Sequence, residues 1–140
     1  MAEKKILKDA IQQKFPEIHI DDSLAKAIDT MTKADVSALA VKSGDEIVGL
    51  VTTSDVLFSL ATEGEDLQRK ISSFMTQCEA NVSKTTRNPC IQLDENEDVL
   101  SAVKLMYDAG MDHLLVSGHN GKIVGIVSGL QLIRLFGSSA

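Results

Sequence analysis

The sequence predicts an α/β (α+β) fold made of two β-α-β-β-α repeats. An apolar stripe at residues 24–31 aligns with residues 99–106 when the chain is shifted by 75 positions. With a shift of 76, Ile-Val-Gly-Leu-Val-Thr at 47–52 aligns with Ile-Val-Gly-Ile-Val-Ser at 123–128. Because these blocks recur in the same order, the chain is predicted to be a tandem of two units of about 60 residues each.

Each repeat begins with a short strand and a helix. Residues 16–21 recur at 89–94 with a shift of 73 positions and form the predicted strand. Apolar side chains then recur at the i, i+3, i+4 and i+7 spacing of an amphipathic helix, at Leu24, Ala27, Ile28 and Met31. Ser23 or Asp22 occupies the position of its N-cap.

A hairpin and a second helix complete each repeat. The segments at 38–41 and 46–51 flank a polar turn that contains Gly44, a pattern typical of a β-hairpin. Thr-Thr-Ser-Asp at 52–55 offers N-cap chemistry to the second helix. The second repeat has the same order and ends in a helix from about Gly129. Since neither unit covers both faces of its sheet, pairing the two is expected to close the core.

Two further apolar stripes at helical spacing lie outside the repeats. They consist of Ile6, Leu7, Ala10 and Ile11, and of Leu67, Ile71, Phe74 and Met75. The spacing predicts one helix before the first repeat and one connecting helix, and the polar run at 77–88 is predicted to be an extended loop. The expected domains are residues 1–66, with the N-terminal helix and first repeat, and residues 67–140, with the connecting helix, loop and second repeat.

Composition and charge exclude several classes of partner. The 140 residues include 14 Lys and Arg against 20 Asp and Glu, which gives a net charge of -6. No basic cluster is present for duplex nucleic acid or for an anionic membrane surface, and the absence of Trp removes the usual stacking platforms for single strands. With no apolar run near the ~20 residues of a membrane span and no signal peptide, we expect a soluble, cytoplasmic protein.

Cysteine, histidine and serine patterns point to no catalytic or metal site. Cys78 and Cys90 are twelve positions apart with no C-x-x-C spacing, which favours two reduced thiols over a single disulfide. These cysteines and the three histidines match no closed tetrahedral spacing, so no metal site is predicted. No G-x-S-x-G elbow and no paired catalytic carboxylates occur. We therefore expect a protein that is not an enzyme.

The sharpest local feature is Gly-Leu-Val-Thr-Thr-Ser-Asp at residues 49–55. A strand ends here, hydroxyl groups including those of Thr52 and Ser54 gather at a helix start, and Asp55 follows. Free N–H groups at a helix N-terminus bind phosphate, and a nearby carboxylate suits the hydroxyl groups of a ribose. The alternative is a capping motif without a ligand, in which Asp55 complements the helix dipole. The residues alone favour that alternative.

The tandem and this G-h-h-[ST]-x-x-D pattern together resemble a pair of CBS domains, the regulatory domain of the cystathionine β-synthase type. The similarity covers about residues 16–60 and 89–136. It implies a pseudo-two-fold sandwich, the Bateman module, with clefts between the repeats that bind AMP, ADP, ATP or S-adenosylmethionine. The resemblance further implies a stand-alone module that signals through a conformational change.

The family pattern transfers unevenly to the two repeats. In the first repeat Thr52 and Asp55 match the [ST]-x-x-D positions, whereas the second repeat has Ser128 and Gln131 and lacks the acid. The resemblance implies a base pocket at the segments leading into each first strand and a ligand-facing residue at the start of each middle strand, where His113 would meet phosphate. The implied ligand-binding set is Lys14, Phe15, Pro16, Ala38, Thr52, Ser54, Asp55, Arg87, Asn88, Pro89, His113, Ser128 and Gln131.

Two functional hypotheses follow. The first is a nucleotide sensor that requires no cofactor, takes an adenosyl ligand with or without Mg²⁺, and acts on an unidentified effector protein. The second is a ligand-free dimerisation or interaction module, favoured by Gln131 and by the 77–88 run. A homodimer is expected in either case, because residues 56–60 and 130–136 are apolar on more than one side of their helices. The sequence leaves open which ligand binds, whether the second site is competent and which process is regulated.

Overall fold

The computed structural model describes residues 5–11, 15–77 and 91–137, which fall into two compact units. One unit comprises residues 15–90 and the other comprises residues 1–14 together with 91–140. Each described unit has one sheet and two α-helices, so the predicted α+β class is confirmed. Six residues discussed above lie outside the described ranges: Lys14, Cys78, Arg87, Asn88, Pro89 and Cys90.

The first unit is a four-stranded sheet with two helices. Its elements are β1 (Glu17–His19), α1 (Leu24–Ala34), β2 (Ala38–Ser43), β3 (Glu46–Thr52), α2 (Thr53–Glu63) and β4 (Thr76–Gln77). The strand order is β1-β2-β3-β4, with β1 parallel to β2 and the remaining pairs antiparallel. The predicted hairpin is therefore present as β2 and β3.

Helix α1 follows the predicted stripe. Its N-cap is Ser23, whose Oγ accepts a hydrogen bond of 3.2 Å from the Lys26 N–H. Leu24, Ala27 and Met31 are buried. The apolar face thereby completes a core with β2 and β3, which stabilises the helix because amphipathic helices gain most of their stability from such packing.

The second unit repeats the arrangement with a three-stranded sheet. Its elements are β5 (Gln92–Asp94), α3 (Val99–Ala109), β6 (His113–Ser117), β7 (Ile123–Ser128) and α4 (Gly129–Gly137). Strand β5 is parallel to β6, and β6 is antiparallel to β7. Asp98 caps α3 by accepting a hydrogen bond of 3.1 Å from the Ser101 N–H. Each of the two repeats therefore forms its own sheet in the predicted element order.

Each unit also holds a segment that precedes the other repeat in the chain. The first strap, residues 5–11, belongs with residues 91–137, and the second strap, residues 69–77, belongs with residues 15–63. A shift of 64 positions relates the two straps, since the bridge between Ile6 and Asp98 corresponds to that between Lys70 and Ser23. The straps are therefore equivalent segments that are exchanged between the two repeats.

The prediction of one amphipathic helix in each of these segments is wrong. Each strap contains a short 3₁₀ helix instead, at Leu7–Ala10 and at Ile71–Ser73, and the second strap ends in β4. The reason is that strap N–H groups bond to carbonyls of the unit beneath: Leu7 N–H donates to Glu97 O at 3.0 Å, and Ile71 N–H donates to Asp22 O at 2.9 Å. These donors are not available for helical i to i−4 bonds.

The exchange also changes the extents of the compact units from the expected halves at 1–66 and 67–140. Residues 5–11 join the second repeat, and residues 67–77 stay with the first. The physical reason is the set of strap hydrogen bonds, together with the burial of Leu7 and Ile71, both of which are fully inaccessible to solvent.

A glycine lies under each strap. A Cβ on Gly49 of β3 would collide with the carbonyl oxygen of Thr76, whereas a Cβ on Gly125 of β7 would meet Cγ2 of Ile11 at 2.6 Å. The straps thus approach an inner strand of the four-stranded sheet and an edge strand of the three-stranded sheet more closely than a side chain on either glycine would allow.

Within the described ranges, no helix has the length and apolar character needed to cross a bilayer.

Candidate functional site

Several predicted site residues of the first repeat meet at one end of its sheet. Strands β1 and β2 are parallel and start at this end, while the antiparallel β3 finishes there. Ala38 is therefore paired with Thr52, and Pro16 O accepts a hydrogen bond of 3.0 Å from the Ala40 N–H. Phe15 precedes Pro16 directly and is half-buried. Phe15, Pro16, Ala38 and Thr52 are consequently neighbours in the fold, although 37 positions separate the first from the last.

The start of α2 is closed by a reciprocal capping box. The Asp55 N–H donates to Thr52 Oγ1 at 3.2 Å, and the Thr52 N–H donates to Asp55 Oδ2 at 3.0 Å. The Thr53 N–H bonds to Ser37 O at 3.0 Å. The capping motif that the sequence offered as an alternative is therefore present, and it fixes the position of the carboxylate.

Ser54 lies differently from its two partners. It occupies the first turn of α2 and is exposed, whereas Asp55 is buried with an exposed fraction of 1%. The two side chains thus present different chemistry: a solvent-accessible hydroxyl and an enclosed acid.

Thr76 of β4 is a site residue that the sequence analysis missed. Its hydroxyl group lies 3.1 Å from Oδ1 and 3.0 Å from Oδ2 of Asp55, and Thr76 itself is buried. The pair is 21 positions apart in sequence. No local sequence pattern predicts this contact, because it forms only when the second strap folds back over β3.

The second repeat builds the same frame with an amide in place of the acid. The Ser128 N–H donates to Gln131 Oε1 at 2.8 Å, and the Gln131 N–H donates to Ser128 Oγ at 3.2 Å. His113 is paired with Ser128, as Ala38 is paired with Thr52. The three predicted residues of this repeat therefore meet at the corresponding end of its sheet.

His113 is a buried titratable residue at this end of the second sheet, where it pairs with Ser128. It is buried, with an exposed fraction of 6%, and burial lowers the pKa of its imidazole below the ordinary 6.5. Asp112 opposes the shift, because its Oδ1 lies 3.6 Å from His113 Nδ1, but its side chain is 90% exposed and water screens the attraction. His113 is therefore mainly neutral at pH 7.

A separate open cleft lies at the other end of α2. Its volume is about 420 Å³, and it is formed by the C-terminal half of α2 and the second strap. Arg69 borders it and holds the strap to the helix, since its guanidinium group donates to Ser59 Oγ at 3.1 Å and to Gly64 O at 3.0 Å. None of the predicted ligand-binding residues lines this cleft.

Comparison with protein families gives a match that extends over both repeats. The family described as "CBS domain" matches residues 7–62 and again residues 82–138. The matched ranges contain both capping boxes and both hairpins.

Two relatives that are themselves named as uncharacterized proteins align with most of this chain. An uncharacterized protein of Methanopyrus kandleri is 29% identical over 100 residues, covering 71% of this chain and 45% of the relative. An uncharacterized 33.4 kDa protein of Thermofilum pendens is 31% identical over 107 residues, covering 76% of this chain and 35% of the relative. This chain therefore spans less than half the length of either relative.

Solved structures share the fold. A CBS-domain containing protein of Agrobacterium tumefaciens has a TM-score of 0.80 at 20% identity, covering 94% of this chain and 99% of that one. The CBS domain pair of protein MJ0100, in complex with 5′-methylthioadenosine and S-adenosyl-L-methionine, has a TM-score of 0.76 at 23% identity, covering 99% and 100%. CBSX2 in complex with AMP has a TM-score of 0.76 at 18% identity, covering 96% and 97%.

Proposed function

This chain belongs to the CBS-domain family, with two copies of the domain, and on that premise we propose that it is a regulatory module that binds an adenosyl ligand. The observation that carries the proposal is the convergence of Pro16, Ala38, Thr52 and Asp55 at one end of the first sheet. The adenosyl ligands in two proteins of the same fold support the ligand class.

Each residue at this end has a role suited to such a ligand. The carboxylate of Asp55 matches a pair of ribose hydroxyl groups, because a carboxylate accepts two hydrogen bonds side by side. The exposed hydroxyl of Ser54 and the first turn of α2 suit a phosphate or a carboxylate. Phe15 and Pro16 offer apolar surface to a base, and the small side chain of Ala38 leaves room beside it. Lys14, Arg87, Asn88 and Pro89 complete the proposed set.

We assign the primary site to the first repeat. Gln131 in the second repeat accepts its hydrogen bond as a neutral amide, and hydrogen bonds to a charged group contribute about 1.5–3 kcal/mol against roughly 1 kcal/mol for neutral ones. His113, being mainly neutral, would contact phosphate there without a full positive charge. The second site is therefore proposed to be the weaker one.

The test is a thermal-shift and calorimetric panel of AMP, ADP, ATP and S-adenosylmethionine, with and without Mg²⁺. A ligand at about 100 times its dissociation constant adds roughly 2.7 kcal/mol of stability. Asp55→Asn keeps the capping acceptor but removes the charge, and it should weaken binding about 10- to 100-fold. Gln131→Ala is the matched control and should leave the affinity of the primary site unchanged. Equal affinity in Asp55→Asn and the wild type would contradict the assignment.

Conversion of the second repeat sharpens the same test. Gln131→Asp recreates the first repeat's pattern, because Ser128 is already positioned to cap it. We expect the number of bound ligands per chain to rise in this variant, as measured by calorimetry. An unchanged stoichiometry would show that the acid alone does not define the site.

A second candidate function is a ligand-free interaction module. The observation that favours it is that Asp55 is enclosed and already hydrogen-bonded to Thr52 and Thr76. In that case the whole ligand panel gives no shift at millimolar concentration, and Thr52 and Asp55 serve only as the cap of α2.

Both candidates include a homodimer, and an effector protein would respond to the ligand-bound state. Leu57 on α2 and Ile133 on α4 are 60% and 64% exposed, and such apolar surface on a helix favours a partner. Sedimentation at tens of micromolar should give a dimer that Leu57→Glu or Ile133→Glu weakens. A monomer under these conditions would rule out self-association through these helices. A ligand acts on the effector only if it binds two arrangements of the protein unequally.

A further inference from the structure

The contact between Thr76 and Asp55 bears on how the proposed site is regulated. Its hydroxyl group is within 3.1 Å of both carboxylate oxygens, so a single donor reaches both acceptors. The N–H and the hydroxyl of Thr52 donate to Oδ2 as well. Thr76 therefore donates to the same two oxygens that a pair of ribose hydroxyl groups would use.

We propose that Thr76 is an affinity-determining residue that competes with the ligand for Asp55. This inference rests on the proposed function, since it concerns the same carboxylate. An adenosyl ligand binds Asp55 fully only when the Thr76 hydroxyl gives up its place, and a protein without that hydroxyl binds the ligand more tightly. The intrinsic affinity of the site is thus reduced by an internal competitor of the same chemistry, a hydroxyl group.

The surroundings of Thr76 allow such a displacement. Strand β4 has only two residues and two register pairs with β3, Thr76 with Leu50 and Gln77 with Gly49. Short strands at a sheet edge open at lower free energy than central strands, because few hydrogen bonds and little packing hold them. The fold therefore places the competitor on the element of this sheet that is released most easily.

Displacement of the Thr76 hydroxyl would affect the rest of the second strap. The first residue of the strap and a residue just before it bond to the start of α1, where the Leu24 N–H donates to Arg69 O at 2.8 Å and the Ala25 N–H donates to Leu67 O at 2.8 Å. Arg69 also holds the C-terminal end of α2. Release of Thr76 thus loosens the last part of a segment that is anchored to two helices, which couples ligand binding to the order of β4.

The experiment measures AMP and S-adenosylmethionine binding by calorimetry to Thr76→Val and Thr76→Ser. Valine has nearly the shape of threonine without the hydroxyl, so we expect about tenfold tighter binding, the change that corresponds to about 1.4 kcal/mol. Serine keeps the hydroxyl and should bind as the wild type does. Thr62→Val is the matched control, because it removes an exposed hydroxyl that bonds only to Phe58 O in its own helix, and it should change nothing.

Opposite outcomes overturn the proposal. Weaker binding in Thr76→Val with normal binding in Thr76→Ser would show that Thr76 orients Asp55 for the ligand. Equal binding in all variants would show that the hydroxyl does not compete. Failure of the wild type and of every variant to bind either probe would overturn the proposed function and the competition with it.

A ligand-free measurement separates these failures. If the Thr76 hydroxyl holds β4 through Asp55, amide exchange across residues 71–77 should rise several-fold in both Thr76→Val and Asp55→Ala, because alanine leaves the hydroxyl no side-chain acceptor. The double variant should then show no further increase, because both substitutions remove the same interaction. If the increases in the two single variants add up in the double variant, the contact between Thr76 and Asp55 does not hold β4. If the double variant exchanges no faster than the single variants and no ligand binds, the contact is supported and only its competition with a ligand is rejected.

Discussion

The two repeats build the same helix cap with different chemistry. In the first, a hydroxyl and a carboxylate close the start of α2, and in the second a hydroxyl and an amide close the start of α4, with two reciprocal hydrogen bonds of 2.8 to 3.2 Å in each cap. Capping therefore does not require an acid at this position. The comparison indicates that the cap does not need the charge of Asp55. The role of that charge is therefore to be found in the other groups that contact the carboxylate.

The two straps also differ in the groups with which they cover their sheets. The second strap lays its backbone and the Thr76 hydroxyl over the first sheet, whereas the first strap covers Gly125 with the side chain of Ile11. Strap backbone, together with the Met75 side chain, thus covers the glycine of the repeat with the acid, whereas a side chain alone covers the glycine of the repeat with the amide. The following predictions use this contrast, from the largest expected effect to the smallest.

Gly49→Ala should be the most destabilising of the matched substitutions. The added methyl group would collide with backbone at Thr76, which cannot yield without detaching β4, and overpacking of this kind costs about 3 kcal/mol. Gly125→Ala meets the Ile11 side chain, chiefly its Cγ2 at 2.6 Å, and because a side chain shifts more readily than backbone we expect a smaller loss of about 1–2 kcal/mol. Chemical denaturation of both variants measures the difference, and equal losses would show that the two straps cover their sheets in equivalent ways.

Removal of the capping hydroxyl should also affect the repeats unequally. Ser128→Ala is expected to cost about 1 kcal/mol, the usual value for an N-cap. Thr52→Ala should cost about 2 kcal/mol, because it also removes a donor from the buried Asp55 carboxylate, 3.2 Å away. Thermal unfolding of the two variants tests this order. A larger loss for Ser128→Ala would mean that the buried acid is satisfied without Thr52.

The smallest expected effect is a pH dependence confined to the second repeat. Because burial lowers the pKa of folded His113 below 6.5, the unfolded chain takes up a proton first as the pH falls. Titration of His113 therefore leaves the free energy of unfolding unchanged above about pH 6.5. Below that pH it lowers the free energy of unfolding, with a slope of at most about 1.4 kcal/mol per pH unit.

His113→Gln should flatten that slope in urea denaturation between about pH 5 and pH 8. His119→Gln is the control, because His119 is exposed to solvent, and it should retain the wild-type slope. The Ala38 position of the first repeat has no titratable group, so the whole effect is assigned to one unit. An unchanged slope in His113→Gln would place the titration elsewhere.

Local patterns predicted most of the fold. The stripe of α1, its Ser23 cap and the β2–β3 hairpin follow from interactions within a few residues, and the repetition of these patterns predicted the second unit. The confirmed family resemblance rests on the same signals. Residues 5–11 and 69–77 could not be predicted in this way, because their apolar spacing fits a helix while their N–H groups bond to a distant part of the chain.

The candidate site shows the same limit. Thr52, Asp55, Ser128 and Gln131 were identified from the sequence because strand end, cap and helix start are contiguous. Thr76 was not, since its place beside Asp55 depends on a strap that returns over β3 after the whole of α2. The roles of all these residues in ligand binding stay predictions until the panel above is measured.

The exchange of the straps has a consequence for biosynthesis. The first unit completes its described parts when residue 77 has been made, and Ile71 has to find Asp22 only 49 positions back. The second unit needs residues 5–11, which leave the ribosome before the first repeat, and Leu7 meets Glu97 only after 90 positions. Because long-range pairing slows folding, we expect the first repeat to fold during translation while residues 5–11, with the apolar Leu7, stay exposed to solvent or bound to a chaperone until the second repeat has been made.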